Sequence, residues 1–170
     1  MSGVVDIVLV KRGINISIIK CHIAEKIRLT VSDYDLLEYF LSQIDTSKIT
    51  KITFQSNGKF LLIDGTLFPK LEDLVIDTAY GVSKPFKQEI NVYVDHSFTY
   101  QLQNLGPIQN LNIRLYAPIA KTILESLLDD LSWFSETLHL RYIRKKCIEQ
   151  IKNFPCETYY YDGPNATKIN

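Results

Sequence analysis

Glycine, proline and cysteine are scarce in this 170-residue chain, at seven, six and three residues, and tryptophan and methionine occur once each. So little glycine and proline excludes the collagen-like and low-complexity classes. An apolar fraction of 46% against a charged fraction of 22% excludes a charged disordered tail. Net charge is missing too, because 19 Lys+Arg balance 19 Asp+Glu. Nucleic-acid binding draws most of its strength from phosphate neutralisation, so nucleic acid is disfavoured as a partner. One basic stretch exists, Arg141, Arg144, Lys145, Lys146 and Lys152, and it reads as the solvated side of a C-terminal helix.

Cys21, Cys147 and Cys156 are too few and too widely spaced for a disulfide framework or a metal-ligand motif; eight residues separate the nearest two. They read as reduced, small apolar residues of an intracellular, cytoplasmic protein. No apolar run approaches the roughly 18 residues a membrane span needs, so no membrane is expected as a partner. The short apolar run near the N-terminus has neither a basic flank nor a small-residue cleavage site and reads as a strand.

Signatures of catalysis are equally thin. Cys21 and His22 are strand neighbours whose side chains point to opposite faces, so they form no nucleophile–base pair. Asp129 and Asp130 fall near a helix C-terminus, where the dipole disfavours an acidic pair built for proton transfer. Asp95-His96 has no further ligand at metal-binding spacing. Gly58, Gly65 and Gly81 stand singly, without the converging backbone amides of a phosphate cradle. No catalytic residue, cofactor or metal is therefore expected.

What the sequence does hold is short-period hydrophobic patterning on a chain long enough for one packed core. Strands are expected over residues 6–10, 14–20 and 26–31, the first two flanking Gly13 like a hairpin. Residues 33–44 repeat Leu36, Leu37, Phe40, Leu41 and Ile44 at helical spacing behind a capping-box-like start at Ser32. Further strands are expected at 49–55, 71–77, 89–95, 109–116, 137–143 and 157–161. Between the fourth and fifth of these, a helix opening at Pro118 carries Ile119, Ile123, Leu124, Leu127, Leu128, Leu131 and Phe134 on one face. A shorter helix, 145–153, turns Cys147, Ile148 and Ile151 inward. Strands alternating with helices imply parallel pairing.

Alignment of these strands on apolar residues at i, i+3 and i+5 gives starts at Ile49, Leu71, Lys87, Ile108, Ser135 and Pro155, with steps of 22, 16, 21, 27 and 20 residues. Leu71-Glu72-Asp73-Leu74-Val75-Ile76, Ile108-Gln109-Asn110-Leu111-Asn112-Ile113 and Ile49-Thr50-Lys51-Ile52-Thr53-Phe54 follow the pattern LxxLxL, and Asn57 falls where that pattern takes an asparagine. Over residues 45–162 the chain resembles an irregular leucine-rich-repeat protein. Lys87, Ser135 and Pro155 depart from its first apolar position. The resemblance implies a short α/β solenoid with a mostly parallel sheet, capped by the β-strands and helix of residues 1–44 and followed by a flexible tail at 163–170. A compact non-repeat α/β domain is the alternative, since such domains also alternate short strands with helices.

In the repeat register the alternating side chains at i+2, i+4 and i+6 face outward. They comprise Lys51, Thr53 and Gln55; Asp73, Val75 and Asp77; Glu89, Asn91 and Tyr93; Asn110, Asn112 and Arg114; Thr137, His139 and Arg141; and Glu157, Tyr159 and Tyr161. Tyrosine and arginine are the types that dominate protein-interface hot spots. The expected function is a non-catalytic protein-interaction module whose candidate contact residues are Asp73, Asp77, Asn91, Tyr93, Asn112, Arg114, His139 and Arg141. Two other classes fit the sequence: a compact α/β enzyme with a pocket around His96 or His139, and a structural subunit of a larger assembly. The run Tyr159-Tyr160-Tyr161 reads as a cover for the C-terminal end of the core, with Tyr160 inward.

Overall fold

The structure, a computed structural model, describes residues 5–9, 25–31, 34–56, 60–115, 120–134 and 136–170. The expected strand 14–20, Cys21, His22, Asn57 and Pro118 lie outside the described residues. The fold is α/β with a mostly parallel sheet. Nine strands form that sheet: β1 (Val5–Leu9), β2 (Lys26–Val31), β3 (Lys51–Ser56), β5 (Asp73–Asp77), β7 (Ile90–Asp95), β8 (Ile108–Arg114), β9 (Thr137–Arg141), β10 (Thr158–Asp162) and β11 (Asn165–Lys168). They lie side by side in chain order, so strand order does not reverse among the described strands. Every neighbouring pair is parallel except β10 and β11.

Two strands missing from this order, β4 (Leu61–Asp64) and β6 (Tyr80–Lys84), pair with each other in a separate parallel ladder. They follow β3 and β5 respectively in the chain. After β7 a 3-10 segment, His96–Asn104, takes the same place in the chain. After β8 it is the helix α2 (Lys121–Asp130), and after β9 a 3-10 turn running into the short helix α3 (Ile148–Ile151). The first helix among the described residues, α1 (Tyr34–Ser42), lies between β2 and β3.

Period-2 alternation builds the core. The register aligns Ile27, Ile52, Leu74, Val92, Leu111, Leu138 and Thr158 in one column across the sheet, all at most 1% exposed. A second column holds Phe54, Ile76, Val94, Ile113, Leu140 and Tyr160. Leu61 and Ile63 of β4, Leu37 and Phe40 of α1, Leu124 and Leu127 of α2 and Ile151 of α3 join the same apolar cluster. Burying such side chains contributes about 1.5–3 kcal/mol each, which drives these short elements together. Thr158, the one polar member of the first column, donates its hydroxyl to the Cys156 carbonyl at 3.1 Å, so its burial leaves no unpaired donor.

Aspartates cap three of the 3-10 turns, one after α1 and two at the ends of β4 and β7. Asp45, Asp64 and Asp95 each accept the backbone N–H two residues on, from Ser47 (3.2 Å), Thr66 (2.9 Å) and Ser97 (2.8 Å). Such caps satisfy amides that the tight 3-10 turns leave unpaired.

Four expectations need correction. The register sets Val92 and Val94, not Ile90 and Val92, beside Leu74/Ile76 and Leu111/Ile113. The 16- and 21-residue steps therefore become 18 and 19, and Asp95 rather than Glu89 completes the outward triplet. A bulge after Ile90, where β8 carries one extra residue, hides this shift from a search for fixed spacing. Residues 163–170 are not a loose tail: Asn165–Lys168 pair antiparallel with β10, and the Asn170 amide bridges Thr158 N–H (2.7 Å) and the Phe154 carbonyl (2.8 Å). Finally, Ile123 is 52% exposed, because the buried stripe of α2 runs through Leu124, Leu127 and Leu128. Tyr160 is buried and Tyr159 and Tyr161 lie on the opposite face, as alternation requires.

Candidate interaction face

The outward side chains form three rows, each crossing the strands at right angles to the chain. The first is a hydrogen-bonded ladder. Asn110 donates to Asn91 (2.8 Å), Asn91 donates to Asp73 (3.1 Å), and Lys51 reaches the same carboxylate at 3.8 Å. Each polar group here has a neighbour one strand away, the geometry that makes cross-strand pairs worth about 0.2–1 kcal/mol.

The second row runs Thr53, Val75, Tyr93, Asn112, His139, Tyr159. Lys51 sits over the Tyr93 ring at 5.4 Å, a cation–π distance. Burial pushes the Tyr93 phenol above its ordinary pKa; the Asp73 charge adds to this and Arg141 opposes it. His139 stacks on Tyr159 with ring centroids 5.1 Å apart and 16° between planes. Burial holds the His139 imidazole below its ordinary pKa and Arg141 lowers it further. It is therefore neutral at pH 7, and its Nδ1 shares a 2.8 Å hydrogen bond with the Tyr161 hydroxyl.

The third row runs Gln55, Asp77, Asp95, Arg114, Arg141, Tyr161, with Asp77 and Asp95 each one residue past the paired Ile76 and Val94. Gln55 donates to Asp77 at 3.3 Å, and the Arg141 guanidinium lies 4.3 Å above the Tyr161 ring. Asp95 is 6% exposed; its Oδ1 caps Ser97 and lies 3.3 Å from His96 Nδ1. Its Oδ2 is enclosed and has no hydrogen-bond partner among the described residues.

A shallow cavity of about 280 Å³ opens where rows two and three meet, between Val75, Asp77, Tyr93, Asp95, Arg114 and Arg141. A second, of about 450 Å³, adjoins it between Tyr93, Arg114, Arg141 and Tyr142. Tyr142 follows β9 with a φ of +65°, a left-handed conformation rare for a tyrosine, and its side chain is 64% exposed.

All eight expected contact residues lie on this face. Asp77, Tyr93, Asn112, Arg114 and Arg141 line the 280 Å³ cavity. Asp73 and Asn91 belong to the ladder beside it, and His139 hydrogen-bonds Tyr161 and feels the charge of Arg141 without lining the cavity. Sequence reasoning missed Asp95 and Tyr142. Counting on by two from Tyr93 reaches Asp95, so the alternation held the signal; the left-handed turn at Tyr142 left no trace in residue type. His96 lies beside Asp95 and lines neither cavity, and no group of three or more metal-ligating side chains occurs among the described residues. No helix among them is long and apolar enough to cross a membrane.

No protein-family model, curated protein or solved structure matches the chain.

Proposed function

We propose that the chain is a non-catalytic protein-interaction module of leucine-rich-repeat type, which binds a partner protein through the outer face of its sheet. The solenoid part of this reading is supported by strand order. Neighbouring strands are consecutive in the chain apart from β4 and β6, and aligned residues from β3 to β10 lie 18 to 27 positions apart, as in stacked coils that contact only their neighbours.

The observation that carries the binding part is the composition of the cavity floor and rim. Tyr93, Arg114, Arg141 and Tyr142 converge there, half-buried or exposed, and each offers an aromatic or guanidinium surface of the kind that anchors interfaces. Carboxylates share the same face, which suits a protein rather than a polyanion. The proposal predicts that the double variant Tyr93→Ala/Arg114→Ala unfolds thermally close to the wild type, within about 1 kcal/mol per site. Affinity capture from the native source should yield a stoichiometric partner with wild type and lose it with the variant. A partner retained by the folded double variant contradicts the proposal.

A further inference from the structure

The third row of the outer face divides by charge. Asp77 and Asp95 occupy β5 and β7, and Arg114 and Arg141 occupy β8 and β9, all at the same level of the strands. All four line one cavity. From this arrangement we infer that the partner segment is an extended peptide bearing one basic and one acidic side chain about 10 Å apart. It lies across the strands with its basic residue over Asp77 and Asp95 and its acidic residue over Arg114 and Arg141. The inference rests on the protein-binding reading above and specifies its partner.

The spacing follows from sheet geometry. Neighbouring strands lie roughly 4.8 Å apart, so the midpoint of the aspartate pair is about two strands, near 10 Å, from the midpoint of the arginine pair. An extended polyproline-type peptide rises about 3.1 Å per residue with three residues per turn. Residues i and i+3 of such a peptide therefore sit on one side about 9 Å apart, which matches the two charge centres.

Asp95 supplies an independent observation. It lines the cavity, is more than nine-tenths buried, and one of its carboxylate oxygens lacks a donor. Burying an acceptor without a donor is unfavourable, and a cationic donor arriving beside it, with a modest rotation of the carboxyl, satisfies the missing bond. At the other end, the cavity continues into the space between Tyr93, Arg114, Arg141 and Tyr142. A carboxylate there meets two guanidinium groups, which pair with carboxylates in bidentate fashion, while the tyrosine rings wall in the flanking aliphatic or proline side chains. A phosphate backbone, by contrast, would have to lie on Asp77 and Asp95 as well.

The test is selection of a random 12-residue phage-displayed peptide library on the full-length chain, followed by affinities of the selected peptides made synthetically with capped ends. The expected peptides share a Lys or Arg three residues from an Asp or Glu, and replacing either with Gln weakens binding at least tenfold. Asp77→Asn should erase the dependence on the basic residue and Arg114→Gln the dependence on the acidic one, with thermal unfolding unchanged for both variants. Peptides that need charge of one sign only, or whose charge dependence does not follow Asp77 and Arg114, overturn the inference. If those peptides are still lost with Tyr93→Ala/Arg114→Ala, the binding face itself stands. No enriched peptide, or peptides that bind this double variant as tightly as wild type, overturns the inference and counts against the binding face as well.

Discussion

Gly106 and Gly163 both adopt positive φ, +111° and +63°, yet the structure makes opposite demands on the space around them. A β-carbon built on Gly163 meets nothing within 4 Å, whereas one on Gly106 collides with the carbonyl oxygen of Phe86. Phe86 cannot retreat easily: it is 1% exposed, its N–H donates to the Leu105 carbonyl at 2.7 Å, and its N atom lies 2.5 Å from where a β-carbon on Gly65 would sit. Gly163→Ala thus carries only the left-handed backbone cost, about 1–2 kcal/mol. Gly106→Ala carries a strain term of about 1–3 kcal/mol and an overpacking term of about 1–3 kcal/mol, so it should destabilise by about 2–6 kcal/mol. Urea unfolding followed by far-ultraviolet circular dichroism, with both variants compared at equal m-value, measures the difference. Equal losses for the two variants would refute the reasoning, because they would mean that the turns before β7 and β8 do not pinch Phe86. Those turns set the start of the β7–β8 register, through Ile90 N–H to the Pro107 carbonyl at 3.2 Å, and that register places Asp95 beside Arg114.

Two titrations give further expectations. The folded-state pKa of His139 lies below its unfolded value of about 6.5, so as pH falls through that value the unfolded chain takes up a proton that the folded chain refuses. Stability contributed by neutral His139 is complete above about pH 6.5 and is lost as pH drops toward the folded pKa. The urea midpoint should therefore fall more between pH 7.5 and 5.5 in wild type than in His139→Gln; an equal fall in both would show that burial and the Arg141 charge do not perturb the imidazole. Burial pushes the Cys156 thiol up to about 11. Native protein treated with iodoacetamide at pH 7.5 should stay unmodified at Cys156 by peptide mass spectrometry and react there only in urea, and rapid native alkylation would place the thiol outside the core.

How much of this was legible in the sequence depended on whether a feature is local. Strands β3, β5, β8, β9 and β10 announce themselves through β-branched and leucine alternation, and their parity alone assigned the eight contact residues to one face. Parity survives a two-residue slip, which is why the face stayed intact although the β7 register was two residues off. β4 and β6 were invisible because each is four or five residues long and interrupted by Asp, Gly, Ser or Lys; they exist through tertiary pairing across the intervening turns. β11 was hidden for a similar reason, since all four of its residues are exposed and only its pairing with β10 makes it a strand. The charge division of the face is legible in outline, acidic in its middle units and basic at Arg114 and Arg141, but the membership of Asp95 and the single row are not. That row appears only when four strands are brought into register, and no stretch of the chain holds those four residues together.

The most direct test of the account is site-specific photocrosslinking with a benzophenone amino acid at position 93, on the outer face, and at position 123, on the exposed side of α2. The account predicts one discrete protein adduct from position 93 in cells of the native source and none from position 123. An adduct confined to position 123, or the same adduct from both positions, would contradict it.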